Sequence, residues 1–153
     1  MKGVAILFDS KFRRQGLVRF DQTPKNLVIT IDINPSAKLS PGLHGFHVHE
    51  SGDLTEGCKS LCAHYNPDRV QHGGLRSKER HRGDLGNIKV HGDGSVSQTI
   101  TATRLDLKEI IGRSVIVHKD KDDLGRGTNP ESPKTGNSGE RVLCGVIGLV
   151  SSC

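Results

Sequence analysis

Short segments of alternating hydrophobicity recur along this chain and constrain its fold more than any other feature. In residues 26–33, every odd-numbered position from 27 onward is Leu or Ile. Successive side chains of a β-strand point to opposite faces, so this alternation predicts a half-buried strand. Seven further strand-like segments, separated by turn signals, cover residues 3–9, 16–21, 44–50, 87–91, 96–102, 114–118 and 143–150. Eight short strands at this spacing predict an all-β, antiparallel sandwich or barrel.

The composition agrees with a single β-rich domain over residues 1–153. Hydrophobic residues make up 33% of the chain and aromatic residues 3%, which is lean for a helical globule, and the 19 glycines suit many turns. A chain of this length has room for one core. Residues 51–83 and 119–141 lack strand periodicity, and loops this long in a compact domain are usually functional or disordered. A short helical turn is expected near residues 105–110.

The net charge of +5 would suit a polyanionic partner, but the pattern of charge argues against nucleic acid. Lys and Arg are scattered, and aromatic side chains that could stack on bases are scarce. No apolar run approaches the ~20 residues that span a bilayer, so no membrane partner is expected. Residues 1–9 read as a first strand without the cleavage site of a signal peptide, so we expect a cytoplasmic protein.

Six of the eight histidines and one aspartate have the spacing of a two-metal site. His47 and His49 are two positions apart in a predicted strand, so both rings lie on one face. A tetragonal set of four nitrogens suits Cu(II) and could come from His47, His49, His64 and His118. Three nitrogens and one carboxylate oxygen suit tetrahedral Zn(II) and could come from His64, His72, His81 and Asp84.

His64 would belong to both sets, with a deprotonated ring between two cations that favour the loss of its proton. The spacing alone equally allows two separate sites. The other two histidines are expected to have structural or surface positions: His44 makes a hydrogen bond, and His91 is exposed near a hairpin.

Blocks of sequence around these residues resemble the copper/zinc superoxide dismutase family. The matching blocks are GFHVHE at 45–50, HYNP at 64–67, HGG at 72–74, RHRGDLGN at 80–87, DDLG at 122–125, KTGN at 134–137 and GERVLCGVIG at 139–148. They occur in order through nearly the whole chain, and every ligand type is present. The resemblance implies an eight-stranded Greek-key β-barrel with two long functional loops.

The resemblance also implies an activity: two superoxide anions and two protons become dioxygen and hydrogen peroxide. Copper would cycle between Cu(II) and Cu(I), and zinc would fix the shared ring and tune its basicity. His64 would leave the reduced copper and carry a proton to the peroxide. Asp122 would orient His47 and His72 by accepting hydrogen bonds from their free nitrogens.

Two further residues line the substrate channel in the family. Arg141 would dock the superoxide anion beside the copper, so it joins His64 as a catalytic residue. Thr135 would narrow the channel on the opposite side. Two departures from the family pattern affect neither ligand set: residues 61–63 replace a stretch of small residues, and Pro130 replaces an acidic residue.

The four cysteines lack paired C-x-x-C units, which argues against a thiolate zinc finger. Cytosolic disulfides are rare, so sequence alone predicts four reduced thiols. The resemblance instead implies a disulfide between Cys58 and Cys144. Cys62 and Cys153 have no role in the family, and we interpret Cys62, two residues before His64, as a bystander that could compete for metal or mispair with Cys58.

The family's dimer contacts resemble four positions here, which implies a homodimer through Gly52, Ile111, Gly112 and Leu149. A copper chaperone could serve as a further partner for metal loading. The alternative function is a catalytically weak metal-binding or copper-chaperone-like domain on the same fold. Loss of a copper ligand or of Arg141 would favour that alternative, and both are retained.

Overall fold

Nine antiparallel strands form one continuous sheet that nearly closes into a barrel in the computed structural model, which describes residues 1–153. The strands are β1 (Lys2–Phe8), β2 (Arg14–Gln22), β3 (Leu27–Ile33), β4 (Gly42–His49), β5 (Asp84–Val90), β6 (Val96–Ala102), β7 (Ser114–His118), β8 (Arg141–Val146) and β9 (Gly148–Leu149). Their order is β5-β4-β7-β8-β1-β2-β3-β6, and β9 pairs with β1. The pairs β4–β7 and β3–β6 skip sequence neighbours, which gives the expected Greek-key barrel.

All eight predicted strands are confirmed, with one difference near the end of the chain. The segment predicted over 143–150 forms two strands, β8 and β9, that break at Ile147. The backbone of Ile147 pairs with the turn before β7: its N–H donates to Arg113 and its carbonyl accepts from Gly112. Those bonds draw Ile147 away from the ladder with β1.

A cluster of 25 buried hydrophobic residues fills the barrel. In β3 the odd-numbered positions from Leu27 to Ile33 are buried and the even-numbered positions are only half-buried, as the alternation predicted. A smaller cluster of Leu61, Ile116 and Cys144 lies under residues 51–83 and packs that loop against β7 and β8. The loop is therefore anchored by its own apolar contacts.

Short helices are the only other regular elements. Two are 3-10 turns, at Pro35–Ala37 and Gly57–Leu61, and two are single α-helical turns, α1 (Leu107–Ile110) and α2 (Ser132–Thr135). The predicted helical turn near 105–110 is confirmed by α1, which starts with a capping box between Asp106 and Glu109. None of these helices has the length and hydrophobicity needed to cross a membrane.

Candidate metal centre

Three histidines project from neighbouring strands into one buried cluster. His47 and His49 lie on β4, and His118 ends β7, which pairs with β4. The carbonyl of Cys62 is 2.9 Å from His49 Nδ1, and that of Gly139 is 3.0 Å from His118 Nδ1. Carbonyls only accept hydrogen bonds, so both Nδ1 atoms carry the proton and both Nε2 atoms keep a lone pair. These two Nε2 atoms face each other at 3.4 Å.

The ring of His64 lies between this cluster and a second group of donors. Its centroid is 4.0 Å from that of His47 and 4.9 Å from that of His49. On the other side, His64 Nδ1 is 2.9 Å from Asp84 Oδ1 and 3.2 Å from His81 Nδ1. His64 is thus the residue that both groups share.

Asp84, the first residue of β5, is the centre of the second group. Its carboxylate accepts hydrogen bonds from the backbone N–H groups of Gly73 and His81. The Nδ1 atoms of His72 and His81 lie 2.9 and 3.1 Å from its two oxygens. Arg80, which is 1% exposed, donates from Nη1 to the carbonyls of residues 81, 82 and 84 and so holds the backbone of this turn.

Asp122 links the two groups from behind. Its Oδ2 accepts from His47 Nε2 at 2.6 Å, and its Oδ1 accepts from His72 Nε2 at 2.8 Å. Each contact places the proton of a neutral ring on Nε2, which leaves Nδ1 free to bind a cation. Gly136 permits this arrangement, because φ there is +74° and a Cβ would collide with Asp122 and His72.

A buried ring nitrogen without a partner tests whether this arrangement fits a metal. His47 Nδ1 is buried and has no hydrogen-bond partner, and His72 Nδ1, also buried, lies 2.9 Å from Asp84 Oδ2 without forming a hydrogen bond. A buried polar atom without a partner costs about 1–3 kcal/mol, and native structures contain few of them. A lone pair aimed into a cluster of nitrogen and oxygen donors is satisfied by a cation, so the residues present fit metal binding.

The electrostatics of the strand histidines also suit a cation. Burial lowers the pKa of His47 and of His49 well below the usual histidine value, and it lowers the pKa of His118 to about 4. These rings are therefore neutral near pH 7, which is the state that ligates metals.

The carboxylates give the second group a different character. Burial alone would lower the pKa of His72, but the contacts with Asp122 and Asp84 raise it to about 9. Burial alone would likewise raise the pKa of Asp84, but its contacts with His64, His72 and His81 hold that pKa well below the usual range. This group attracts positive charge, either as a proton on His72 or as a metal ion.

Two overlapping sets of residues could each hold an ion, because within each set the donor atoms lie within 4.8 Å of one another. The sets are His47, His49, His64 and His118, and His47, His64, His72 and Asp84. The first equals the predicted copper set. The second contains His47 where the predicted zinc set has His81, although His81 Nδ1 also contacts Asp84. The structure brings all seven predicted ligands together, and which ion each would hold stays a prediction.

An open cleft of about 1040 Å³ reaches this cluster from solvent. Its lining includes His64, His118, Thr135 and Arg141, which places both predicted channel residues beside the candidate ligands. Two hydrogen bonds hold the guanidinium of Arg141: Nη1 donates to the carbonyl of Cys58 at 2.9 Å, and Nη2 donates to that of Cys62 at 2.6 Å.

Comparison with known proteins agrees with this architecture. Residues 14–147 match the family model described as copper/zinc superoxide dismutase (SODC). The chain belongs to the copper/zinc superoxide dismutase family. It is 49% identical over 140 residues to the Cu-Zn superoxide dismutase of Paramecium bursaria Chlorella virus 1, and the match covers 88% of this chain and 72% of the viral protein.

Other relatives in this family have a different name. The chain is 50% identical over 136 residues to the copper chaperone for superoxide dismutase of Homo sapiens and 49% identical over 136 residues to that of Sus scrofa. Each match covers 87% of this chain and 48% of the chaperone. The chain thus spans about half the length of these relatives.

The cysteines and the two remaining histidines complete the comparison with the sequence. Cys58 and Cys144 form a disulfide, so the general expectation of four reduced thiols is wrong for this pair; Cys62 and Cys153 are free and exposed.

His44 is buried with its ring nitrogens 2.8 and 2.7 Å from the carbonyls of residues 118 and 40, which confirms the expected structural hydrogen bond. His91 is exposed beside its hairpin, as expected.

Sequence reasoning did not single out Arg80 or Asn87. Arg80 supports the turn that carries His81 and Asp84, and Asn87 bonds to the backbone of Asp122. Both lie inside the block 80–87 that resembles the family, but their own side-chain chemistry gave no ligand signal. The one sequence signal that could have been used is the position of Arg80, a charged residue directly before the predicted ligand His81.

Proposed function

We propose that this protein dismutates superoxide: 2 O₂⁻ + 2 H⁺ → O₂ + H₂O₂. The observation that supports the proposal is the cleft, because it joins solvent, the fixed cation of Arg141 and the rings of the candidate copper ligands in one place. Copper bound by His47, His49, His64 and His118 would supply one-electron oxidation and reduction, and zinc bound by His64, His72, His81 and Asp84 would supply a fixed charge.

Arg141 would bind the substrate anion. Its bonds to the carbonyls of Cys58 and Cys62 hold the guanidinium in place, and a guanidinium has five N–H donors, so donors remain for an anion in the cleft. Burial lowers the pKa of Arg141, but an arginine stays a cation in proteins. The disulfide fixes Cys58, so it also fixes one of the two carbonyls that orient Arg141.

His64 would deliver a proton to the nascent peroxide from Nε2. His64 Nδ1 faces Asp84 and His81, so Nε2 is the nitrogen that remains for proton transfer. With a cation on Nδ1, the ring would carry its single proton on Nε2, and the nearby positive charge would make that N–H a better proton donor. Thr135, on α2 in the cleft wall, would limit the size of the anion that reaches this nitrogen.

A second candidate function is a copper-chaperone-like domain that binds metal and turns over slowly. The observation that favours it is the similarity to copper chaperones for superoxide dismutase, at 50% identity to the human protein. The retained ligands and Arg141 favour the enzyme, because transfer of copper alone needs no residue to dock superoxide.

The decisive experiment combines metal analysis with superoxide decay. The protein is loaded with copper and zinc, the content of both metals is measured, and superoxide decay is followed by stopped-flow absorbance. We expect one copper and one zinc per chain and a decay that depends on protein concentration. Full copper occupancy with negligible decay would instead favour the chaperone-like function, and copper transfer to a metal-free superoxide dismutase would then be measured.

We further infer a homodimer and a cytoplasmic location. In support of the dimer, Leu149 is 59% exposed although it is hydrophobic, and the close contact of Gly52 with the carbonyl of Gly112 places two of the four predicted positions side by side. With Ile111, these residues would form the contact surface. Sedimentation equilibrium of the wild type and of Leu149→Glu measures the association, and fractionation of cells measures the location.

A further inference from the structure

Asn87 holds the backbone of Asp122 with both ends of its side-chain amide. Nδ2 donates to the Asp122 carbonyl at 2.9 Å, and Oδ1 accepts from the Asp122 N–H at 2.7 Å. We propose that Asn87 is a positioning residue that sets the geometry of both donor groups through Asp122. The inference rests on the metal centre of the proposed function and adds a residue to it.

The clamp is the only backbone attachment of Asp122. Both main-chain polar groups of Asp122 bond to Asn87 and to no other residue. Its neighbours in the chain are attached elsewhere: the carbonyl of Asp120 accepts from Gly45, and the N–H of Asp123 donates to Gly136. Without Asn87, the backbone N–H and carbonyl of Asp122 would have no partner, and Asp122 would be held only through its neighbours in the chain.

The location of Asn87 connects the clamp to the donors. Asn87 lies on β5 three residues after Asp84, and it pairs with Gly45 of β4, two residues before His47. One strand thus carries a candidate metal ligand and the side chain that anchors Asp122. The sheet therefore anchors the backbone of Asp122, while the loop contributes one contact to its carboxylate, from the N–H of Leu124 to Oδ1 at 2.7 Å.

A displaced Asp122 would release the protons that it fixes. Its two oxygens hold the Nε2 protons of His47 and His72, one ring from each donor group. A neutral imidazole can move its proton to the other nitrogen, and a proton on Nδ1 would block the atom that faces the cluster. Asn87 therefore controls, through one carboxylate, whether two rings present a lone pair.

The test measures metal affinity with Zn²⁺ alone and the ligand field with Co²⁺ alone, by chelator competition and visible absorption. Asn87→Ser removes the clamp, and we expect zinc to bind about 10- to 100-fold more weakly, as for other groups that orient metal ligands. The cobalt spectrum should change in shape. Asn87→Asp keeps the acceptor for the Asp122 N–H and the shape of the side chain but loses the donor, so an intermediate loss is expected.

The chain provides a matched control in Asn66. Its Nδ2 donates to the carbonyl of Val70 at 2.9 Å, and its Oδ1 accepts from the Val70 N–H at 3.1 Å, which is the same clamp on a different residue. Asn66→Ser should lower the melting temperature of the metal-free protein but change the cobalt spectrum much less than Asn87→Ser does. A general loss of loop order would change the spectra of both variants alike and would overturn the proposal.

A double-mutant cycle with Asp122→Asn decides whether Asn87 acts through Asp122. In that background, Asn87→Ser should weaken zinc binding by less than about twofold, because the contact that it supports is already altered. An undiminished loss there would show an independent effect of Asn87 and contradict the inference. These measurements use no superoxide, so a protein without dismutase activity would still give a clear result for Asn87.

Discussion

The candidate metal centre has two halves that are built differently. The strand-borne donors are His47 and His49, which lie in the ladder between β4 and β7, and His118, which ends β7 opposite Arg141 of β8. The loop-borne donors, His64, His72 and His81, come from residues 51–83 and converge on Asp84. Backbone pairing fixes the first half. In the second half, His64 is bridged to His49 through the backbone, whereas the side chains of His72 and His81 converge on the charge of one carboxylate.

This difference appears in the protonation of the rings. Burial lowers the pKa values of the strand-borne histidines, with that of His118 at about 4, whereas two carboxylates raise the pKa of His72 to about 9. The strand-borne half therefore presents neutral lone pairs with or without an ion. The loop-borne half needs a positive charge, so its order should depend on what binds there.

The largest expected effect follows from depriving the loop-borne half of its cation. Asp84→Asn keeps the shape of the side chain and removes its charge. Zinc at 1,000 times the wild-type Kd raises the free energy of unfolding of the wild type by ~4 kcal/mol, and we expect the variant to lose this gain. For a chain of this size that is about 8–16 °C in melting temperature. Calorimetry of wild type and variant, each with and without Zn²⁺, measures the difference.

Hydrogen exchange shows whether the loss is confined to one half. Amides of residues 64–84 should lose protection in Asp84→Asn, as should the N–H of Val48, which donates to Gly83. The amides that bond across the ladder between β4 and β7 should keep it, because that ladder does not involve the carboxylate. Equal loss in both halves would mean that the strand-borne donors are not preformed, and the contrast between the halves would be wrong.

The next effect concerns the disulfide that attaches the loop of residues 51–83 to the barrel. The disulfide joins Cys58 to Cys144 on β8 across 86 residues of sequence. Replacing both cysteines by serine should cost about 2–5 kcal/mol, since such a link restricts the unfolded chain. Cys153→Ser, an exposed free thiol near the end of the chain, serves as the control. Urea unfolding of the metal-free proteins gives the values, and a cost below 1 kcal/mol would show that packing alone anchors the loop.

A smaller effect separates metal binding from substrate binding. Arg141→Ala should leave copper and zinc content unchanged, because Arg141 contacts carbonyls of the loop and no ligand side chain. Loss of a charged hydrogen bond is worth about 1.5–3 kcal/mol, so superoxide decay should slow by about 10- to 100-fold. Arg126→Ala, an exposed cation in the loop after β7, should change the rate far less. An unchanged rate in Arg141→Ala would remove its proposed role.

The same division explains what could be predicted from the sequence. Alternation places His47 and His49 on one face of a strand, so local geometry alone brings two strand-borne donors together. The loop-borne donors have no periodicity, and their convergence was accessible only through donor chemistry and the resemblance to a family.

Contacts between distant residues were not predictable. Asn87 and Asp122 are 35 residues apart, and a single Asn in a strand gives no signal that its amide will clamp a backbone. The break of β8 and β9 at Ile147 was missed for the same reason, because the residues that pair with it precede β7. Local pattern determines which face a side chain takes, whereas these contacts depend on how the barrel closes.

The smallest expected effect concerns Cys62, where a loop residue supports a strand-borne donor through its backbone. Its carbonyl accepts from His49 and from Arg141, its thiol is exposed, and its φ of +63° lies in the left-handed region. Glycine adopts such a conformation without the cost that a Cβ imposes, so Cys62→Gly should stabilise the protein by about 1 kcal/mol, or about 2–4 °C.

Cys62→Ser keeps the Cβ and should change the melting temperature by less than about 1 °C, as for most exposed positions. Copper affinity should be the same in both variants, because the carbonyl remains. If Cys62→Ser weakened or strengthened copper binding, the thiol itself would take part in the site, and Cys62 would no longer be a bystander. The backbone of the loop would then be only part of what holds His49, and the strand-borne half would depend on a loop side chain after all.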